Sequence, residues 1–461
     1  EFSDWSSDVC SSDLDFKNPC RLDLDKTNPY YCEEIPKEMY NAIWENLKLK
    51  AIDTLCKYDP SHADLYKTLP AKGDSLFNPQ FKQLMYYFFV GCFDMKSPLF
   101  MTTARNIVGK LMTYYRFELE RDLYKDELAK IQIKNPIFIT SLPRSGSTYL
   151  HNLIVRDPRA SGVKLYEHIC PGSKTMTSEA RMKIIEDIMA GVHKESTDLN
   201  TIHNVDSVSN YEEELFFMEM LGQCFIMTSA MPRFEQFRYH QFDADYHYVY
   251  EALIDELKMH LMEFPLKDPV NGFLCLKAVN HFASMVPMFD VLGRDEYNAR
   301  FVWIHREPVE QIKSFIPLLM GMKGRFENDL GRDDIEWLNK HAIKANEVIL
   351  RNSIAARDAW IAQDPSRAKR IIDIGFKEAV TKPKETVKKI YDFFGIELTP
   401  EAEKVLDNTI KERDPQRKHG RKAHDSKLYF FDDDEIRKQY KFYYDRFGQY
   451  MPNYYPKDEK K

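Results

Sequence analysis

The sequence predicts an α/β fold in which a central parallel sheet is packed between helices. Three short apolar runs point to it, each followed by a turn and a helical pattern: PIFITSL from Pro136, RFVWIHRE from Arg300 and RIIDIGF from Arg370. Strands that alternate with helices pair in parallel, because every crossover returns the chain to the same end of the sheet.

Residues 1–14 are left out of the fold reading, because DWSSDVCSSDL at Asp4–Leu14 matches the translation of a common sequencing-adaptor oligonucleotide. From about 36 to 130 apolar side chains recur at three- and four-residue intervals, as in Met39, Ile43, Leu47 and Leu49, so residues 15–130 read as a helical amino-terminal region. At Asn135 the pattern changes to strand, loop and helix, with the helix carrying Leu150, Leu153 and Ile154. A second unit begins at Ala299, and Pro308 suits the first turn of its helix. The third strand leads into KPKETVKKIYDFFG, where Gly395 is a helix stop and Thr399 a cap for the next helix. Residues 170–270 are rich in Met, Phe, Tyr and His and read mostly as helix, while 411–427 is a polar loop.

Composition narrows the function. A net charge of −7 argues against general binding of nucleic acid or of anionic membranes, which needs an excess of Lys and Arg, so an anionic ligand must be held locally. The longest apolar stretch, LMYYFFVGCF at 84–93, is roughly half of the ~20 residues that span a bilayer, and a buried helix is expected there. The eight cysteines form no CxxC pair, and no His or Cys cluster has metal-ligand spacing. A cytoplasmic protein is expected.

The loop SLPRSGST between the first strand and its helix carries chemistry. A strand that enters a Gly-containing turn and then a helix gathers backbone N–H groups and the positive end of a helix dipole at one point. Arg144 adds a fixed cation, Ser145, Ser147 and Thr148 add hydroxyls, and Gly146 lets the backbone approach an anion closely. It is not the nucleotide-triphosphate loop GxxxxGK[ST], since Gly146 rather than Lys precedes Ser147. A structural turn with a solvated Arg is the alternative.

At this point PRSGSTYL, through Tyr149, resembles the 5′-phosphosulfate loop of the sulfotransferase family, a PRSGTT or PKSGTT pattern, with Ser147 in place of Thr. The family's second signature is a strand ending in Arg, then a polar residue and Pro, with Ser eight positions after the Arg; HREPVEQIKS supplies Arg306 and Ser314. A basic loop that closes over the nucleotide is resembled by RKHGRKA, with Arg417, Lys418, His419, Gly420 and Arg421, in a segment holding seven Lys or Arg against three Asp or Glu. A solvated charged loop is the other reading.

The resemblance implies a P-loop-like three-layer fold over 131–461 with helical insertions, 170–270 lying on the acceptor side. It implies a transferase that uses 3′-phosphoadenosine 5′-phosphosulfate (PAPS), without a metal, to sulfate a hydroxyl or amine of a small-molecule, lipid or carbohydrate acceptor. Arg144 would stabilise the leaving 5′-phosphate, and Arg306 with Ser314 would grip the 3′-phosphate. Two residues compete as general base: Glu167, nineteen residues past Thr148, which is favoured, and His281 in LKAVNHF, set off from Lys277 by three residues where cytosolic family members have one. His203 and Glu213 resemble a His and acidic element placed before the acceptor region. A nucleotide kinase and a PAPS-binding homologue without turnover are the competing classes.

Overall fold

The computed structural model describes residues 31–91, 98–195, 208–225, 235–323, 331–413 and 426–451, with a few positions between 20 and 27. The amino-terminal region is helical as expected, with α1 (Lys37–Tyr58), α2 (Pro79–Val90) and α3 (Pro98–Leu123). The start of α2 is set by Asn78, whose side chain accepts from the Gln80 N–H at 2.8 Å, and by Pro79 in the first turn. Phe81, Leu84, Met85, Phe88 and Phe89 then recur at helical spacing and are all buried, so residues 84–90 of the apolar stretch belong to a core helix. No helix among the described residues is long and apolar enough to cross a membrane.

Arg116 of α3 ties this region to the chain around Gly172 and Thr175. Its buried guanidinium bonds Glu120 at 3.2 Å, the Thr175 hydroxyl at 2.8 Å and the Gly172 carbonyl at 2.8 Å. A charge buried so deeply is stable only when most of its donors are paired, as both terminal nitrogens are here.

The sheet has five parallel strands: β1 (Ile137–Thr140), β2 (Ala160–Ser161), β3 (Phe273–Lys277), β4 (Arg300–His305) and β5 (Ile371–Gly375). Their order is β2-β3-β1-β4-β5, so β1 is central, flanked by β3 and β4. The two faces separate by alternation. Ile137, Ile139, Val302, Ile304, Ile372 and Ile374 pack with Leu150, Leu153 and Ile390, while Phe138, Leu276, Phe301 and Trp303 join the cluster that includes the amino-terminal helices. Both faces are therefore covered, as a parallel sheet requires.

The helices that matter for the site are α4 (Ser147–Ile154), α5 (Leu165–Ile169), α6 (Leu215–Met220), α7 (His247–Glu263), α8 (Pro308–Lys323), α9 (Arg332–Gln363), α10 (Pro383–Phe394) and α11 (Lys441–Phe447). The expected punctuation is present: Pro308 opens α8, Gly395 ends α10 at φ +65°, and Thr399 caps the next helix through Ala402 N–H at 3.2 Å. Two strands were not expected. β2 is two residues long, and β3 is a short, fully buried run that periodicity alone does not separate from buried helix.

Candidate active site

The loop between β1 and α4 stands at the carboxyl end of the central strand. In open α/β sheets ligands bind at such a point, where the chain order reverses. Arg144 and Gly146 both have left-handed backbones, φ +67° and +82°, which turn the chain so that α4 begins directly after Gly146. A Cβ at Gly146 would stand 3.0 Å from the Phe376 ring, so only glycine fits that conformation there without displacement. The first N–H groups of α4 and its dipole open toward the loop.

Both sequence motifs meet here. Arg306, at the end of β4, donates through Nη1 to the Arg144 carbonyl oxygen. Ser314, two turns into α8, accepts from Arg144 Nε at 3.3 Å. The Arg306 guanidinium also lies 4.4 Å over the ring of Phe376, the residue that packs on Gly146. Ser145 is 1% exposed and its hydroxyl has no hydrogen-bond partner among the described residues. A buried hydroxyl costs free energy unless something accepts from it, and an anion in the loop would do so. Ser147 and Tyr149 are buried and Thr148 is exposed. These features fit a phosphate or sulfate group.

A residue that no sequence motif marks holds the loop from beneath. Gln311 is fully buried, donates to the Pro143 carbonyl at 2.8 Å, and accepts from Asn346 of α9 at 2.8 Å. The signal was available, since Gln311 and Ser314 are three apart and share a face of α8. Phe376 gave none beyond following the third strand.

On the other side of β1, β3 delivers a buried polar cluster. Lys277 forms an ion pair with Glu213, and its N–H donates to Glu214 at 2.7 Å. His281 is fully buried between Glu214, 3.4 Å from Nε2, and the Tyr250 hydroxyl, 3.1 Å from Nδ1. Burial would raise the Glu214 pKa, but the hydrogen bond and charge of His281, with smaller help from its own backbone N–H and His168, together hold it below the usual carboxylate value. The cluster abuts β1, where Thr140 donates to the Ala278 carbonyl at 3.0 Å and the Phe138 ring is 5.7 Å from His281.

Glu167 lies elsewhere in the network. It caps α5 by accepting from Lys164 N–H at 3.1 Å, and its second oxygen pairs with His260 of α7 at 2.6 Å. His260 in turn meets the Ser161 hydroxyl at 2.8 Å. Burial would push the Glu167 carboxyl up, but the hydrogen bond and charge of His260, with the Lys164 N–H and Arg181, together keep its pKa below the ordinary value. Both carboxylate oxygens are thus engaged and the side chain is 4% exposed. His203 and the basic segment Arg417, Lys418, His419, Gly420 and Arg421 lie outside the described residues.

A Gly-containing loop at the end of the central strand of a five-stranded parallel sheet, braced by an Arg and a Ser from the neighbouring strand and helix, is the arrangement of a P-loop-like α/β fold. A family model described as the sulfotransferase family matches residues 136–400, more than half of the chain, and the protein belongs to that family. Two solved structures show the same fold at low identity. Sulfotransferase STF1 from Mycobacterium tuberculosis H37Rv is 18% identical with a TM-score of 0.62, over 83% of this chain and 97% of that one. Sulfotransferase STF9 from Mycobacterium avium is 18% identical with a TM-score of 0.64, over 80% and 91% respectively. No individual curated protein matches the sequence.

Proposed function

We propose that the protein transfers a sulfuryl group from PAPS to a hydroxyl or amine of a small-molecule, lipid or carbohydrate acceptor. The observation that carries this reading is the convergence of Arg144, Ser314 and Arg306 on one loop, together with the unpartnered Ser145 hydroxyl. PAPS supplies the activated sulfuryl group and departs as the 3′,5′-bisphosphate. The Arg144 guanidinium and the α4 N–H groups stabilise the negative charge that grows on the 5′-phosphate side, and Arg306 with Ser314 holds the 3′-phosphate. Such preorganised charge, with positioning, accounts for most of the rate in transfers of this type.

The acceptor must lose a proton, and His281 is the residue assigned to take it. The Glu214 carboxylate can only accept, so Nε2 carries the proton that faces it at 3.4 Å, and Nδ1, 3.1 Å from the Tyr250 hydroxyl, keeps the lone pair that takes the acceptor's proton. Glu214 steadies the imidazolium that forms. Glu167 is assigned a positioning role, because it caps α5 and pairs with His260 beside the edge strand β2, whereas His281 lies against Phe138 of the central strand. The test offers 35S-labelled PAPS with a panel of phenols, sterols, sugars and amines. Wild type should yield a sulfated product, Arg144→Ala none, and His281→Gln about 10²- to 10⁴-fold less. A Glu167→Gln variant inactive beside an active His281→Gln would reverse the assignment of the base. Failure of every acceptor, with no nucleotide bound, would sink the proposal.

A further inference from the structure

The residues on either side of Arg306 are both held by the last α-helix among the described residues. His305 pairs through Nδ1 with the Tyr443 hydroxyl at 2.8 Å and through Nε2 with Asp373 at 2.9 Å. Glu307 accepts from the Tyr444 hydroxyl, and its other oxygen caps α8 by accepting from Glu310 N–H at 2.7 Å. Two consecutive tyrosines of α11 therefore clasp positions 305 and 307, one each.

The clasp is buried and firmly seated. His305, Glu307, Tyr443 and Tyr444 are all at most 3% exposed. The His305 ring stacks on Phe447 at 4.1 Å, Tyr450 at 5.1 Å and Trp303 at 5.4 Å between centroids. Arg357 fixes Asp373 with two bonds of 2.6 and 2.8 Å. The close approach is built into β5, since a Cβ at Gly375 would come within 2.6 Å of the Tyr450 carbonyl oxygen.

Packing alone does not call for these hydroxyls. Phe447 and Phe442 pack on the same helix without one, and a buried hydroxyl needs a partner. Both partners here flank the residue at the end of β4 whose guanidinium reaches the loop.

We propose that Tyr443 and Tyr444 are positioning residues for Arg306, fixing the β4-to-α8 turn so that its guanidinium faces the 3′-phosphate site it shares with Ser314. The inference rests on the nucleotide reading under Proposed function. It assigns the carboxyl-terminal helix a part in 3′-phosphate recognition, although neither hydroxyl contacts the phosphate.

The experiment titrates the full chain and its Tyr443→Phe and Tyr444→Phe variants with 3′-phosphoadenosine 5′-phosphate and, separately, with 5′-AMP, which lacks the 3′-phosphate. Each variant keeps the ring and loses the hydroxyl's bond to the residue beside Arg306, so binding of the bisphosphate should weaken about five- to tenfold, with 5′-AMP unchanged. In an Arg306→Ala background the tyrosine effect should vanish, because coupled residues are not additive. Unchanged bisphosphate affinity in both variants, where Arg306→Ala does weaken it, would overturn the inference while leaving the nucleotide reading intact. Equal losses for the two nucleotides, or losses that persist without Arg306, would also overturn it. A wild-type protein that binds no bisphosphate would refute the nucleotide reading itself, a result distinguishable from the others.

Discussion

Replacing Gln311 with Met keeps the volume of a fully buried side chain while removing both of its hydrogen bonds, the donation to the Pro143 carbonyl and the acceptance from Asn346, each 2.8 Å long. A net hydrogen bond is worth about 1 kcal/mol, and a buried partner left unsatisfied costs about 1–3 kcal/mol. Pro143 is half-buried and its carbonyl has some access to water, whereas Asn346 is 2% exposed. The expected loss is therefore about 2–4 kcal/mol. Urea denaturation reads it as a lower midpoint with an unchanged slope, which separates a stability change from a change in compactness. Asn346→Leu alone should cost less, and the double variant should be no worse than Gln311→Met by more than about 0.5 kcal/mol, because both act through one chain of bonds. A Gln311→Met loss below about 0.5 kcal/mol, the range of ordinary surface substitutions, would refute the view that this chain of bonds supports the loop.

The same geometry makes two further outcomes testable. Gly146→Ala forces a Cβ into a left-handed backbone 3.0 Å from the Phe376 ring, and should lower stability by about 1–2 kcal/mol and abolish nucleotide binding measured by calorimetry. His151, buried in α4 against the Cys275 carbonyl at 3.0 Å, has its pKa pushed down by burial to about 4. The folded state then binds fewer protons than the unfolded one between about pH 6.5 and 4, so stability is full above that window and is lost as pH falls through it. Melting curves of His151→Gln should show a flatter pH dependence over that range than wild type, and an equal slope would refute the assignment.

The anion loop was legible because its chemistry is local: strand, turn, Arg, Gly and helix lie within a dozen residues, and the Arg306 to Ser314 spacing is one helix turn pattern on the next unit. Their meeting at Arg144, Arg306 on its carbonyl and Ser314 on its guanidinium, follows from β1 and β4 being neighbours, which two parallel units imply. The buried polar network on the other side of β1 was less legible because its contacts are long-range. Glu214 and Lys277 are 63 positions apart and Glu167 and His260 are 93 apart, and no sequence pattern pairs them. Glu167 has the spacing of a catalytic carboxylate, yet it is claimed by a helix cap and a histidine. The short β3 was hidden for a different reason, since a fully buried strand lacks the alternation that marks a half-buried one.

The central claim is a site for two anionic groups one nucleotide apart, and calorimetric titration with 3′-phosphoadenosine 5′-phosphate tests it most directly, with ATP and AMP as controls and Arg306→Ala in parallel. The account predicts tight binding of the bisphosphate, weaker binding of both controls, and loss in Arg306→Ala. Absence of binding, or a preference for ATP, would contradict it.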